Sequence, residues 1–266
     1  RVCRPDAARR FVSEVPGAQF ELLPDVAHNY ASARNWQSPL LDAYRKIASS
    51  NAAVLPPPPA SLSDLPLVEV VAHGDSPYLA ILLSGDGGWA GLDKSVAAAL
   101  ASHGIPVVGL DSLRYFWTAR TPERVTADVD RILGYYAAHW RKTQAVLIGY
   151  SQGADVLPFV INRLPAASRA LVAQTVLMGP GEQASFEFHL GNWLGNERDA
   201  IPIQPEAVKL RAASTLCLHG TDDPDSLCPR LPRTSVTSMT LPGGHHFDGA
   251  YDDLAKIIVR RLNAPR

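Results

Sequence analysis

A serine between two glycines, three acids in one polar loop and an adjacent pair of histidines are the residues whose types could do covalent chemistry together. The serine is Ser151 in "AVLIGYSQGADVLPF", where Gly149-Tyr150-Ser151-Gln152-Gly153 spells G-x-S-x-G. The pentapeptide alone is a common pattern. Here an apolar, strand-like run precedes it and a helical pattern follows at once. Such a strand-turn-helix holds the serine in a strained turn and sets a helix N-terminus beneath it, where negative charge is favoured. An ordinary serine hydroxyl is a weak nucleophile, so a base must take its proton and an acid must orient that base. In "STLCLHGTDDPDSLCP" a strand-like run ends at His219-Gly220, and the acid three residues beyond that glycine, Asp223, is the expected orienter. Asp222 and Asp225 are its rivals, and His219 reads as a packed, hydrogen-bonded residue. In "LPGGHHFDG", just before the final helical pattern, His245 is the expected base and His246 a neighbour that packs or caps.

Acyl transfer through such a serine also needs backbone donors for a developing oxyanion. The Gln152 N–H, directly after the nucleophile, is one. The other is assigned to the Asp86 N–H in "SGDGGWAG", a loop standing where lipases carry His-Gly-Gly. A phosphate-binding loop is the rival reading, but "SGDGGWAGLDKS" lacks Gly-Lys-Ser/Thr and puts an acid where phosphate would sit. The choice of His245 rests on Gly-His-x-Phe-x-Gly, which resembles the histidine loop of small α/β hydrolases.

The surrounding elements must be able to carry these loops. Apolar runs "YLAILL", "IPVVGLD", "AVLIGY", "LVAQTVLMG" and "STLCLHG" alternate with helical patterns, the longest being "TPERVTADVDRILGYYAAHWRK" with Thr121 as N-cap and Pro122 behind it. Continuous apolar strands separated by helices predict a mostly parallel, doubly wound sheet covered on both faces. The fold class expected is therefore α/β, of the α/β-hydrolase type, over residues 66–266. Four consecutive prolines, Pro56 to Pro59, mark residues 49–65 as an extended linker. Residues 1–48 read as strand ("GAQFELLP"), turn, His28 and helix, an echo of the final strand, loop and helix. That echo predicts the C-terminal remnant of an upstream α/β domain.

Composition excludes several classes. The chain has 266 residues, 46% apolar and 19% charged, with a formal net charge of -1, so no basic field invites nucleic acid. No apolar run is long enough to span a membrane. Residue 1 opens no signal peptide, and without an initiator Met the chain reads as a processed or excised piece, so its compartment is not given by its start. Cys3, Cys217 and Cys228 are too few for a disulfide scaffold, and they lack the paired spacings of a zinc site. Cys228 follows Cys217 by eleven residues across a polar loop. Either a bridge forms there, restraining the loop by roughly 2–3 kcal/mol, or both thiols stay reduced.

With these motifs in place, residues 66 to 265 resemble the VirJ/AcvB family of bacterial exported proteins. The resemblance is carried by "LSGDGGWAGLDKSVAAALASHGIPVVGLDSLRYFW", "IGYSQGADVLPF", "DDPDSLCP" and "PGGHHFDGAYDDLA". The linker and the segment before it resemble the two-domain AcvB form, without most of its first domain. The resemblance implies a periplasmic serine hydrolase, with no cofactor or metal, that cleaves the ester joining lysine to phosphatidylglycerol. It also implies a link to type IV secretion and virulence, and a periplasmic setting fits a Cys217–Cys228 bridge. For such a substrate, Asp86 and Asp111 are candidates for the lysyl ammonium groups and Arg114 for the lipid phosphate. Tyr115, Phe116, Trp117, Phe186, Phe188 and Trp193 are candidates for a lipid-facing mouth, with ordinary packing as the alternative for each. Two rival functions stay open: an esterase or thioesterase on a smaller substrate, and a non-catalytic scaffold in an envelope or secretion complex.

Overall fold

The computed structural model describes residues 4–15, 18–24, 26, 35–50, 62–187 and 200–264. Cys3, His28, Pro56 to Pro59, Phe188 and Trp193, all singled out above, lie outside the described residues. The chain divides into two compact units, Arg1–Pro56 and Pro57–Arg266.

In the first unit, helix α1 (Pro5–Ser13) begins with a proline in its first turn, where a missing N–H costs nothing, and with Asp6 at the positive end of the helix dipole. Helix α2 (Gln37–Ser50) covers the helix expected there. The strand expected over "GAQFELLP" is not formed: residues 18–24 are irregular, and α1, which the sequence pattern did not reveal, precedes them. An apolar run becomes a strand only when another strand accepts its backbone hydrogen bonds, and among the described residues this unit offers none.

The second unit runs β1 (Leu67–Val70), β2 (Tyr78–Leu83), α3 (Gly91–Ser102), β3 (Val107–Leu110), α4 (Ser112–Tyr115), α5 (Pro122–His139), β4 (Gln144–Tyr150), α6 (Gln152–Arg163), α7 (Ala166–Leu171), β5 (Val172–Met178), β6 (Gln183–Ala184), β7 (Ile201–Pro202), α8 (Gln204–Ala207), β8 (Thr215–Gly220), β9 (Thr237–Leu241) and α9 (Tyr251–Leu262). Seven strands form one sheet in the order β1-β3-β2-β4-β5-β8-β9. All neighbours are parallel except the edge strand β1, which runs antiparallel to β3. Residues 62–65, expected at the end of the linker, fold with this unit instead: Leu62 and Leu65 are buried in its core.

The sheet is covered on both faces, as its strands demand. Along β2 the side chains alternate, with Leu79, Ile81 and Leu83 in the core under α5 and α6. Ala80 and Leu82 join the opposite core, with Val96 and Leu100 of α3 and Ile258 and Leu262 of α9. Helix α5 starts where Thr121 and Pro122 predict, with the Thr121 hydroxyl accepting the Arg124 N–H at 3.2 Å. This is the α/β-hydrolase fold, and the loops at the C-terminal ends of β2, β4, β8 and β9 carry the residues of interest.

A disulfide joins Cys217 of β8 to Cys228, with 5.6 Å between Cα atoms. It closes the acidic loop between them into a short ring, which removes about 3 kcal/mol of chain entropy from the unfolded state. Urea unfolding with and without reductant is therefore expected to differ by about 3 kcal/mol, or roughly 5–10 °C in melting temperature. Identical transitions, with both thiols shown to be alkylated after reduction, would remove the bridge from the list of stabilising features.

Candidate active site

Ser151 sits at φ 50°, ψ -119° between β4 and α6. That left-handed conformation is strained for a residue with a Cβ, and the surrounding close packing imposes it. A Cβ on Gly149 would lie 2.3 Å from the Gly153 carbonyl oxygen, and one on Gly153 would lie 2.1 Å from the Leu83 carbonyl oxygen. Only hydrogens at both positions let α6 start this close to the central strands. The Ser151 N–H donates to Met178 O at 3.0 Å and the Gly153 N–H to Ser84 O at 3.1 Å, tying the turn to β5 and to the loop after β2.

His245 and Asp223 meet beside this turn. His245 Nδ1 is 3.0 Å from Asp223 Oδ2, with Asp223 largely buried and His245 38% exposed. An ionised carboxylate only accepts, so the shared proton belongs to Nδ1 and His245 Nε2 is left with its lone pair. The pair rests on the residue after Met178: a Cβ on Gly179 would come within 2.9 Å of His245 Cε1 and 3.6 Å of Asp223 Oδ2. The same stretch thus holds Ser151 through Met178 O and the imidazole through Gly179. Among the described residues no direct hydrogen bond joins Ser151 Oγ to His245, a contact that commonly tightens when substrate binds. Asp222 and Asp225 are exposed and make no hydrogen bond to either histidine. His246 Nδ1 instead lies 2.7 Å from Tyr150 Oη, and His219 Nε2 lies 3.0 Å from Thr240 Oγ1.

The loop after β2 passes over the serine. A Cβ on Gly85 would lie 3.4 Å from Ser151 Cβ, so the backbone just before Asp86 runs beside this serine. Ser84 is anchored by Ser112, whose hydroxyl donates to Ser84 O at 2.7 Å and whose N–H donates to Ser84 Oγ at 2.9 Å. Gln152 opens α6, where first-turn N–H groups have no partner within the helix.

Two carboxylates hold this loop from below. Asp93 is buried, with Oδ2 accepting the Ala90 N–H at 3.4 Å and Oδ1 without a partner among the described residues. Burial pushes its pKa up from 3.8 to about 7, with a smaller upward push from Asp111. The folded state therefore holds this proton more tightly than the unfolded chain. The stability it contributes is complete below about pH 4 and is lost as pH rises through about 7. At about 1.4 kcal/mol per pKa unit, wild type is expected to lose on the order of 2–4 kcal/mol between pH 4 and pH 8 relative to Asp93→Asn. Parallel pH-stability curves for the two proteins would remove Asp93 as the cause.

The Asp111 carboxylate accepts the Arg114 N–H at 3.2 Å and caps α4. Burial pushes its pKa up, against the opposing pull of backbone N–H groups that include Arg114, Trp89 and Leu113. Tyr115 takes the packing alternative: it is buried, with its hydroxyl 2.7 Å from Asp128 Oδ2. Phe116 and Phe186 are likewise core residues, packed edge to face. Arg114 and Trp117 are exposed. Tyr150 was not singled out in the sequence, although its place next to Ser151 was the available signal. Among the described residues no group of three or more His, Cys, Asp or Glu could hold a metal ion, and no helix is long and apolar enough to cross a membrane.

The profile of the family described as bacterial virulence protein (VirJ) matches residues 77–265. The chain belongs to the VirJ family. The matched VirJ region contains the turn at Ser151, the acidic loop and both histidines. No curated protein sequence matches. Among solved structures, MenH from S. aureus is similar at 13% identity and TM-score 0.55, covering 74% of this chain and 97% of that one. Est1E from Butyrivibrio proteoclasticus is similar at 14% identity and TM-score 0.54, covering 74% and 94%. An alpha-beta serine hydrolase homologue from Coxiella burnetii shares 18% identity at TM-score 0.52, covering 74% and 90%. At these identities the likeness concerns the fold.

Proposed function

We propose that the VirJ region is a serine hydrolase of carboxylic esters, with Ser151 as nucleophile, His245 as base and Asp223 as the acid that orients it. The observation that carries this reading is the 3.0 Å His245–Asp223 contact beside a serine held at positive φ. Ser151 Oγ attacks the ester carbonyl carbon while His245 Nε2 takes its proton, and Asp223 steadies the imidazolium that results. The negative oxygen of the tetrahedral adduct faces the Asp86 and Gln152 N–H groups. Collapse breaks the ester C–O bond, and His245 returns the proton to the departing alcohol. Water, deprotonated by the same imidazole, then releases the acid and restores Ser151.

Within that class we place the substrate as aminoacylated phosphatidylglycerol, chiefly its lysyl ester, met at the outer face of the inner membrane in the periplasm. The substrate follows from the resemblance in the quoted motifs; the compartment is supported further by the Cys217–Cys228 disulfide, since such bonds persist in oxidising spaces. The same resemblance carries the two-domain AcvB-type arrangement, with residues 1–48 as the end of an upstream domain, and the link to secretion-system partners. Trp117 and Arg114, both exposed, are the candidates to meet a lipid surface.

The test is release of lysine from lysyl-phosphatidylglycerol in mixed micelles, run beside fluorophosphonate labelling, for wild type and Ser151→Ala. Release and labelling that both vanish in the variant are the expected result. Labelling at Ser151 without lysine release would keep the hydrolase and replace this substrate with another ester. A folded wild type that shows neither would leave a non-catalytic scaffold as the better reading.

A further inference from the structure

The second histidine and the tyrosine before the nucleophile form a contact that the proposed chemistry does not use. Tyr150 is the last residue of β4 and only 6% exposed. One side of its ring lies against the loop after β2: a Cβ on Gly85 would be 3.2 Å from Tyr150 Cδ1 and 3.3 Å from Cε1. The ring also lies 5.5 Å, centroid to centroid, from the His245 imidazole, tilted by 33°. Its hydroxyl is 2.7 Å from His246 Nδ1 and 3.4 Å from His245 O. One buried side chain therefore touches the oxyanion loop, the imidazole of the base and the backbone that carries the base.

We infer that Tyr150 and His246 are positioning residues: Tyr150, locked by His246, sets the His245 loop against the oxyanion loop around Ser151. This rests on the serine-hydrolase reading above. Burial, and then the charges of Asp93, Tyr251, Asp86 and Asp223, raise the Tyr150 pKa, so its phenol keeps its proton and donates. A protonated phenol both donates and accepts, so one hydroxyl serves His245 O and His246 Nδ1 together. The loop itself needs such a brace. It turns through Gly243 at φ 91° and through Phe247 and Asp248, both at positive φ, and β9 beside it is an edge strand paired on one side only. A base held within a few tenths of an ångström of its working position requires support of this kind.

The experiment measures the second-order rate of fluorophosphonate labelling, and kcat and KM on p-nitrophenyl acetate, after thermal melts establish that each variant is folded. Tyr150→Phe keeps the ring and loses both hydroxyl contacts; His246→Ala removes the lock. Each is expected to lower the labelling rate and kcat by about tenfold with KM unchanged, as loss of alignment without loss of binding does. His246→Asn, which returns a polar group to the Nδ1 position, should recover to within about threefold of wild type. Because both variants break the same Tyr150–His246 contact, the double variant should lose no more than about 10–15-fold. Losses that multiply to about 100-fold, or folded single variants that react at the wild-type rate, would overturn the inference while leaving Ser151 as a nucleophile. A wild type labelled no faster than Ser151→Ala would overturn both.

Discussion

His245→Ala is expected to lower the reaction of Ser151 with ester substrates by about 10³–10⁴-fold, against about tenfold for His246→Ala. The two residues are adjacent and chemically identical, so the contrast comes only from what each ring meets. His245 has Asp223 Oδ2 at 3.0 Å on Nδ1 and lies over Gly179, next to the backbone that holds Ser151. His246 has its Nδ1 on Tyr150 Oη and is exposed. Only the first arrangement leaves Nε2 as a base whose cation is then stabilised by a largely buried carboxylate. Asp223→Asn should follow His245→Ala in direction, since an amide can stabilise the wrong tautomer, whereas Asp222→Asn and Asp225→Asn should stay within about twofold. Steady-state kinetics on one ester decides the matter. Greater loss in His246→Ala than in His245→Ala would exchange their roles and would also remove the positioning part assigned to His246.

The largest effect on stability is expected from Gly153→Ala, which should cost about 4 kcal/mol or more and leave little folded protein. The added methyl group would stand 2.1 Å from the carbonyl oxygen of Leu83 and 2.9 Å from its Cβ. Leu83 is fully buried at the end of β2, paired to β3 and β4 on either side, so its backbone cannot retreat without breaking two ladders. Gly149→Ala, facing the Gly153 carbonyl at 2.3 Å, should behave in the same way. Gly134→Ala is the internal control: it lies on the exposed face of α5 with nothing within 4 Å of its added Cβ, and should stabilise by about 0.5–1 kcal/mol. Urea unfolding of the three variants reads all of this directly. A Gly153→Ala protein as stable as wild type would mean that α6 does not start as close to β2 as described.

The sequence by itself determined the five inner parallel strands and the turn at Ser151, because both are local statements. An apolar run of strand length followed by G-x-S-x-G and a helical pattern allows few backbone paths, and Thr121-Pro122 marks a helix start on its own. The same local reasoning failed for "GAQFELLP", since whether an apolar run becomes a strand depends on a partner that no window of sequence contains. Nor could it choose, for Tyr115, between a mouth and ordinary packing; the buried hydroxyl contact with Asp128 decides for packing.

Only the tertiary structure decided which acid and which histidine meet. Thr221 N–H donates to Leu241 O and Asp222 N–H to Gly243 O, so the pairing of β8 with β9 continues into both loops and sets their phase. That phase directs Asp223 inward and leaves Asp222 and Asp225 in solvent. Gly220, whose added Cβ would fall 2.3 Å from the Gly243 and Gly244 carbonyl oxygens, lets the two loops approach this closely. Neighbouring side chains on a loop point in different directions, and a shift of one residue would exchange Asp222 for Asp223. The contacts that prevent that shift join segments about twenty residues apart, across a sheet, where spacing along the chain carries no information about facing.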